Sequence, residues 1–87
     1  MASKYQSKII KEYKAKGYLV VKVIRFSDNG WPDLQCIKDG ISIWIECKEK
    51  NDTLKDLQKY RIDQLNSAGC IAVCMKDGEG QIYPSNF

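Results

Sequence analysis

Apolar positions in this chain follow two periods, and the period changes where turn-forming residues cluster. Gln6, Ile9, Ile10 and Tyr13 recur at helical spacing, with Lys4, Lys8, Lys11 and Lys14 on the opposite face. Ser3 suits the N-cap of this first helix, with Gln6 three residues later as its capping-box partner. Gly17, following Lys14 and Lys16, ends it. Residues 18–26, rich in β-branched and aromatic side chains, predict a strand. Ser27-Asp28-Asn29-Gly30 reads as a loop.

Alternation takes over next. Ile41, Ile43 and Ile45 alternate with Ser42, Trp44 and Glu46, and Lys38-Asp39-Gly40 is a hairpin turn between this run and the one that starts at Pro32-Asp33. A polar turn at residues 49–52 precedes a second helix over 53–67. Its inward stripe is Leu54, Leu57, Gln58, Arg61, Ile62 and Leu65. Residues 70–75 are a continuous apolar run of the buried-strand type, Asp77-Gly78-Glu79-Gly80 is a turn, and residues 81–83 form a short last strand. The order is α-β-β-β-α-β with one terminal strand, and no repeat or interdomain linker interrupts it.

Composition narrows the class. Eighty-seven residues make one domain, residues 1–87, with a modest core. The chain is 44% hydrophobic and 29% charged, as soluble globular chains are. No apolar run approaches the ~20 residues a membrane span needs, and no apolar segment follows the N-terminus, so a cytoplasmic location with no membrane partner is expected. Cys36, Cys47, Cys70 and Cys74 match no zinc spacing, and the chain has no histidine. Reduced core thiols are expected, and Ser-His-Asp and Cys-His enzymes are excluded within this chain. The net charge is +3 but uneven: Lys4, Lys8, Lys11, Lys14, Lys16, Lys22 and Arg25 face a single acid, Glu12, in the first 26 residues. A basic half suits a polyanion; a solvated helix face is the competing explanation.

The chemistry gathers around the hairpin. Alternation puts Glu46 and Lys48 on one side of a strand. If Asp33 enters the facing strand, two carboxylates and an ammonium converge. Carboxylates are hard ligands suited to Mg²⁺ or Mn²⁺, and the backbone carbonyl of Cys47 can reach the same ion. Lys48 can orient water or offset developing charge. Pro-Asp as a plain turn and Glu-x-Lys as a solvated ion pair are the alternatives. Gln58 and Arg61 interrupt an apolar stripe, which either a phosphate or a stripe edge open to solvent explains. Trp31 is either a packing residue or a stacking surface for an unpaired base, with packing favoured.

Lys16-Gly17-Tyr18, Gly30-Trp31-Pro32-Asp33, Ile45-Glu46-Cys47-Lys48 and Gln58, in that order, resemble the VRR-NUC (virus-type replication-repair nuclease) domains of the PD-(D/E)XK nuclease superfamily, in their stand-alone phage-like form. The resemblance spans residues 3 to about 75. It implies a restriction-endonuclease-like α/β core with a mixed central sheet flanked by helices. It implies a Mg²⁺- or Mn²⁺-dependent endodeoxyribonuclease, with Asp33, Glu46, Lys48 and Gln58 catalytic and with Asp33, Glu46 and Cys47 at the metal. It further implies 5′-phosphate products and branched DNA, including Holliday junctions, as substrate for a homodimer. With no extra recognition module expected, Lys4, Lys8, Lys11 and Arg61 are the expected DNA contacts, reading backbone and shape. A nicking or restriction-type nuclease and a non-catalytic DNA-binding subunit of a repair complex are the alternatives. The chain departs from the family at the first helix, where related nucleases often carry a glutamate: the aligned position, near Ala2 or Ser3, has no acid. Glu12 and Gln6 are the substitutes within reach, Glu12 with a surface role and Gln6 as a cap first.

Overall fold

The structure, a computed structural model, describes residues 3–24 and 27–85. Helix α1 (Lys4–Ala15) is followed by strands β1 (Leu19–Lys22), β2 (Leu34–Lys38) and β3 (Ile41–Lys48), helix α2 (Asp56–Ser67), and strands β4 (Ile71–Lys76) and β5 (Gly80–Tyr83). One five-stranded sheet runs in the order β1-β2-β3-β4-β5. All neighbours are antiparallel except β3 and β4, which are parallel and joined across α2. The element order and mixed sheet are those expected.

Each face of the sheet carries one helix. Tyr5 and Ile9 of α1 pack on Leu34, Cys36, Ile45 and Val73. Ile62 and Leu65 of α2 pack on Ala72 and Cys74. Strict alternation does the sorting: Ile45 goes to the α1 side, while Trp44, Glu46 and Lys48 go to the α2 side. Leu34, Ile45 and Ile62 are fully buried. Each such side chain contributes about 1.5–3 kcal/mol relative to exposure. Cys36 and Cys74 are likewise buried, one in each core, where a thiol fills space as a small apolar group.

The hairpin forms as its sequence dictates. Lys38 pairs with Ile41, and Asp39 (φ 52°) and Gly40 (φ 77°) both take the left-handed conformation of a two-residue primed turn. Ser3 caps α1, its Oγ accepting from the Gln6 N–H at 3.0 Å.

Several boundaries differ from the expectation. β1 stops at Lys22, with one further rung where the Val23 N–H donates to the Asp33 carbonyl at 2.8 Å. Its partner β2 begins only at Leu34, so Ile24 has no strand to pair with; Arg25 and Phe26 lie outside the described residues. Tyr5, not Gln6, faces the α1 core, and Gln6 is half-buried. α2 starts at Asp56, three residues late, because Lys55 is its N-cap and Gln58 fixes that start. Leu57 is exposed, because the helix turns Gln58, Ile62 and Leu65 to the sheet. β4 begins and ends one residue later than expected, and β5 begins one residue earlier.

Candidate active site

A proline organises the site. Continuing the β2–β3 register one step past Leu34↔Ile45 sets Asp33 opposite Glu46, and a second step sets Pro32 opposite Cys47. Pro32 is buried and has no N–H to give. The Cys47 carbonyl therefore receives no ladder bond from it, and the Cys47 N–H donates to Asp33 Oδ2 at 2.9 Å. The N–H and C=O of one strand residue face the same neighbouring strand. The Cys47 carbonyl thus projects on the edge where Asp33 stands, opposite a residue that cannot bond it.

Glu46 and Lys48, one residue to either side of Cys47, point to the α2 face and are only 4% and 8% exposed. Lys48 Nζ stands 3.6 Å from Glu46 Oε2. Gln58 comes down from the first turn of α2, and its Nε2 donates to the same Oε2 at 3.2 Å. Its Oε1 accepts the Lys55 N–H at 3.0 Å. One amide therefore caps the helix and holds the carboxylate. The polar interruption of the α2 stripe is explained by this pair of bonds.

The electrostatics are those of a carboxylate pair short of positive charge. Burial pushes the Glu46 carboxyl up to about 8, the nearby Asp33 charge pushes the same way, and Lys48 opposes both. Asp33 is also raised by burial, against the Cys47 N–H and Lys48. Among the described residues no cluster of three or more His, Cys, Asp or Glu side chains is arranged for a metal. What Asp33, Glu46 and Cys47 offer is two carboxylates and a carbonyl, a hard-oxygen set.

The structure thus brings together Asp33, Glu46, Cys47, Lys48 and Gln58. It separates them from the lysines. Lys4, Lys8 and Lys11, with Ser7, line a groove of about 370 Å³ on α1, across the sheet from Gln58. α1 packs on β1 after a short turn and so runs antiparallel to it, while Lys22, the last residue of β1, pairs with Leu34, next to Asp33. The N-terminal lysines therefore lie toward the Asp33 end of the sheet, and Glu12, exposed, lies away from it. Of the two substitutes for the missing helix-1 acid, Gln6 is thus the one at this end; Ala2 lies outside the described residues. Sequence reasoning did not single out Ser7 in the groove or Cys74 at the site. Cys74 pairs with Glu46 in register and is fully buried, its thiol pushed up to about 12 by burial and then by Glu46. Only the parallel β3–β4 register brings it there.

The loop before Asp33 is fitted to α2. Gly30 has φ +84°, and a Cβ there would meet Leu57 Cγ at 2.7 Å and the Leu57 carbonyl oxygen at 3.1 Å. Gly30→Ala should cost about 2 kcal/mol, from the left-handed backbone and from overpacking. Urea denaturation checks this, and Leu57→Ala should return the overpacking part. Trp31 packs against Trp44, ring centroids 5.9 Å apart, in line with the packing alternative.

No protein-family profile matches the chain, and no curated protein sequence matches it significantly. Solved structures do. A structure described as a VRR_NUC domain superposes with a TM-score of 0.71 at 22% identity, covering 80% of this chain and 77% of that one. Hjc, a Holliday junction resolvase from the archaeal hyperthermophile Archaeoglobus fulgidus, superposes with a TM-score of 0.68 at 14% identity, covering 86% and 67%. The chain therefore has the restriction-endonuclease-like fold of these two structures, built as a five-stranded mixed sheet between two helices.

Proposed function

We propose that this chain is a Mg²⁺- or Mn²⁺-dependent endodeoxyribonuclease that cuts branched DNA as a homodimer. The observation that carries this reading is the group of half-buried Asp33 with buried Glu46 and Lys48 under Gln58, at one end of a sheet with a nuclease fold.

The donor set fits a small hard cation. The Asp33 charge adds to burial in raising Glu46, and the Cys47 carbonyl stands opposite a proline. These three would hold the ion. When bound, it supplies Lewis acidity at a phosphoryl oxygen and lowers the pKa of a coordinated water. The protein's own part follows from position. Asp33 and Glu46 orient that charge, the Cys47 N–H fixes Asp33, and Gln58 fixes Glu46. Lys48 hydrogen-bonds the attacking water and offsets the charge that develops on the phosphate. The water oxygen attacks phosphorus in line, the P–O3′ bond breaks, and the products carry a 5′-phosphate and a 3′-hydroxyl.

Branched DNA is favoured because one structure of the same fold is that of a Holliday junction resolvase, and because the basic groove on α1 suits phosphates, which position DNA without reading bases. Neutralising Lys4, Lys8 and Lys11 together should weaken DNA binding. The slope of log affinity against log salt should fall by about 0.9 for each phosphate that is no longer neutralised. An unchanged slope would make the ridge a solvated face. Two symmetric cuts in a four-way junction require two sites, which a two-fold dimer supplies. α2 packs over β4 and leaves the same face of β1 and β2 open. Leu19, Val21, Gln35 and Ile37 on that face carry no charge, which suits a second copy of the chain better than phosphate.

Cleavage of four-way junction, flap, single-stranded and duplex DNA in Mg²⁺, with sedimentation equilibrium alone and on junction DNA, tests the reading. Cutting concentrated on the junction by a dimer is expected. Equal cutting of all four would make it a nicking nuclease, no cutting with intact binding a non-catalytic module, and monomer mass on the junction would remove the resolvase reading.

A further inference from the structure

Helix α2 reaches Glu46 and the loop that precedes Asp33. Gln58 holds Glu46 directly. Arg61, one turn further along, reaches the loop that delivers Asp33. Its Nε donates to the Asn29 carbonyl at 2.9 Å and its Nη1 to Gln64 Oε1 at 3.0 Å. The guanidinium carbon lies 5.6 Å from the centre of the Trp31 ring and 5.4 Å from that of Tyr60. Its Cγ is one wall of the slot that only a glycine fits at position 30, with a Cβ there meeting it at 3.2 Å. Three consecutive residues, Asn29, Gly30 and Trp31, are seated on Arg61, and the next two are Pro32 and Asp33.

We infer that Arg61 is a positioning residue: it clamps residues 29–31 onto α2 and so sets the Asp33 carboxylate against Glu46. A phosphate contact would use its charge. The clamp uses its shape, with one edge of the planar fork on a carbonyl, another on Gln64, and the cation near two rings. Lysine keeps the charge and loses all of that geometry. Because Gln58 and Arg61 stand on one rigid helix, α2 fixes where the two carboxylates sit relative to each other. Residues behind the ligands of a metal centre commonly govern its affinity in this way.

The consequence for metal binding rests on the proposed function; the clamp itself does not. The test is Arg61→Lys, read in three ways. In chelator, the Cys47 amide, which donates to Asp33, should exchange with solvent faster than in the wild type while amides of β4 keep their rates. Mn²⁺ affinity by calorimetry should fall about tenfold. DNA affinity in chelator and its salt slope, read also in Arg61→Gln, which removes the charge, should stay as in the wild type. An unchanged Cys47 amide in Arg61→Lys with a lower salt slope in Arg61→Gln would overturn the inference and make Arg61 a phosphate contact. Faster exchange throughout the chain, with Mn²⁺ affinity intact, would overturn it in favour of a purely stabilising role. If the wild type binds no Mn²⁺, the nuclease reading fails, and the Cys47 amide still decides the clamp.

Discussion

Lys48→Met should lower kcat by about 10²–10³-fold, the usual effect of removing one preorganised donor from a transition state, and leave DNA affinity unchanged. Lys48 is buried beside Glu46, so its ammonium is held in place before substrate arrives and works in a medium where charge is weakly screened. Methionine keeps the packing of the stem. Removing one partner of a buried ion pair is usually costly because a charge is left alone, but burial raises the Glu46 carboxyl to about 8, so in metal-free protein at neutral pH it already holds a proton and stability should survive. On the proposed reading DNA binds through the exposed lysines of α1, on the other face of the sheet. Single-turnover kinetics with junction DNA, together with thermal denaturation, separate the two effects. Near-normal turnover at saturating Mg²⁺ would remove Lys48 from the mechanism.

Glu46→Gln and Asp33→Asn should each weaken Mn²⁺ binding by at least about tenfold, since each takes an anionic oxygen from a hard-cation site. Glu46→Gln should also change how the metal-free protein responds to pH. Glu46 titrates near 8 in the folded chain against an ordinary value of 4.5. Between those values the folded state keeps a proton that the unfolded state releases. The stability tied to that proton is therefore fully present below about 4.5 and is lost as pH rises through 8. Wild-type protein in chelator should be more stable to urea at pH 5 than at pH 8.5, by roughly a few kcal/mol. The glutamine variant should lose most of that difference. An equal difference in both proteins would assign the titration to another group, and unchanged Mn²⁺ affinity in both variants would put the metal elsewhere.

What is legible in the sequence is legible through local rules. Asp39-Gly40 demands a primed turn, alternation sends Glu46 and Lys48 to one face, and the order of Pro32-Asp33, Glu46-Cys47-Lys48 and Gln58 carries the site. The start of α2 escapes those rules because a side chain sets it: Gln58 spends its oxygen on the Lys55 N–H, which no propensity records. Tyr5 takes the place expected for Gln6 through the roll of α1 on the sheet, a tertiary choice. β1 is shorter than its composition suggests because its end depends on Pro32, ten residues further on, which ends the partner strand. Arg61 stands out in the sequence only as a polar residue on an apolar stripe. Its partner, the Asn29 carbonyl, is a backbone atom and leaves no mark there.

The claim that Asp33, Glu46 and Lys48 form a metal-dependent hydrolytic centre is tested most directly by incubating wild-type and Asp33→Asn protein with end-labelled four-way junction DNA, in chelator and then with Mg²⁺ added. The account predicts cleavage by the wild type that is absent in chelator, appears with Mg²⁺ and leaves 5′-phosphate ends, and no cleavage by Asp33→Asn in either condition. Cleavage that persists in chelator, or that the Asp33→Asn variant performs at the wild-type rate, would contradict it.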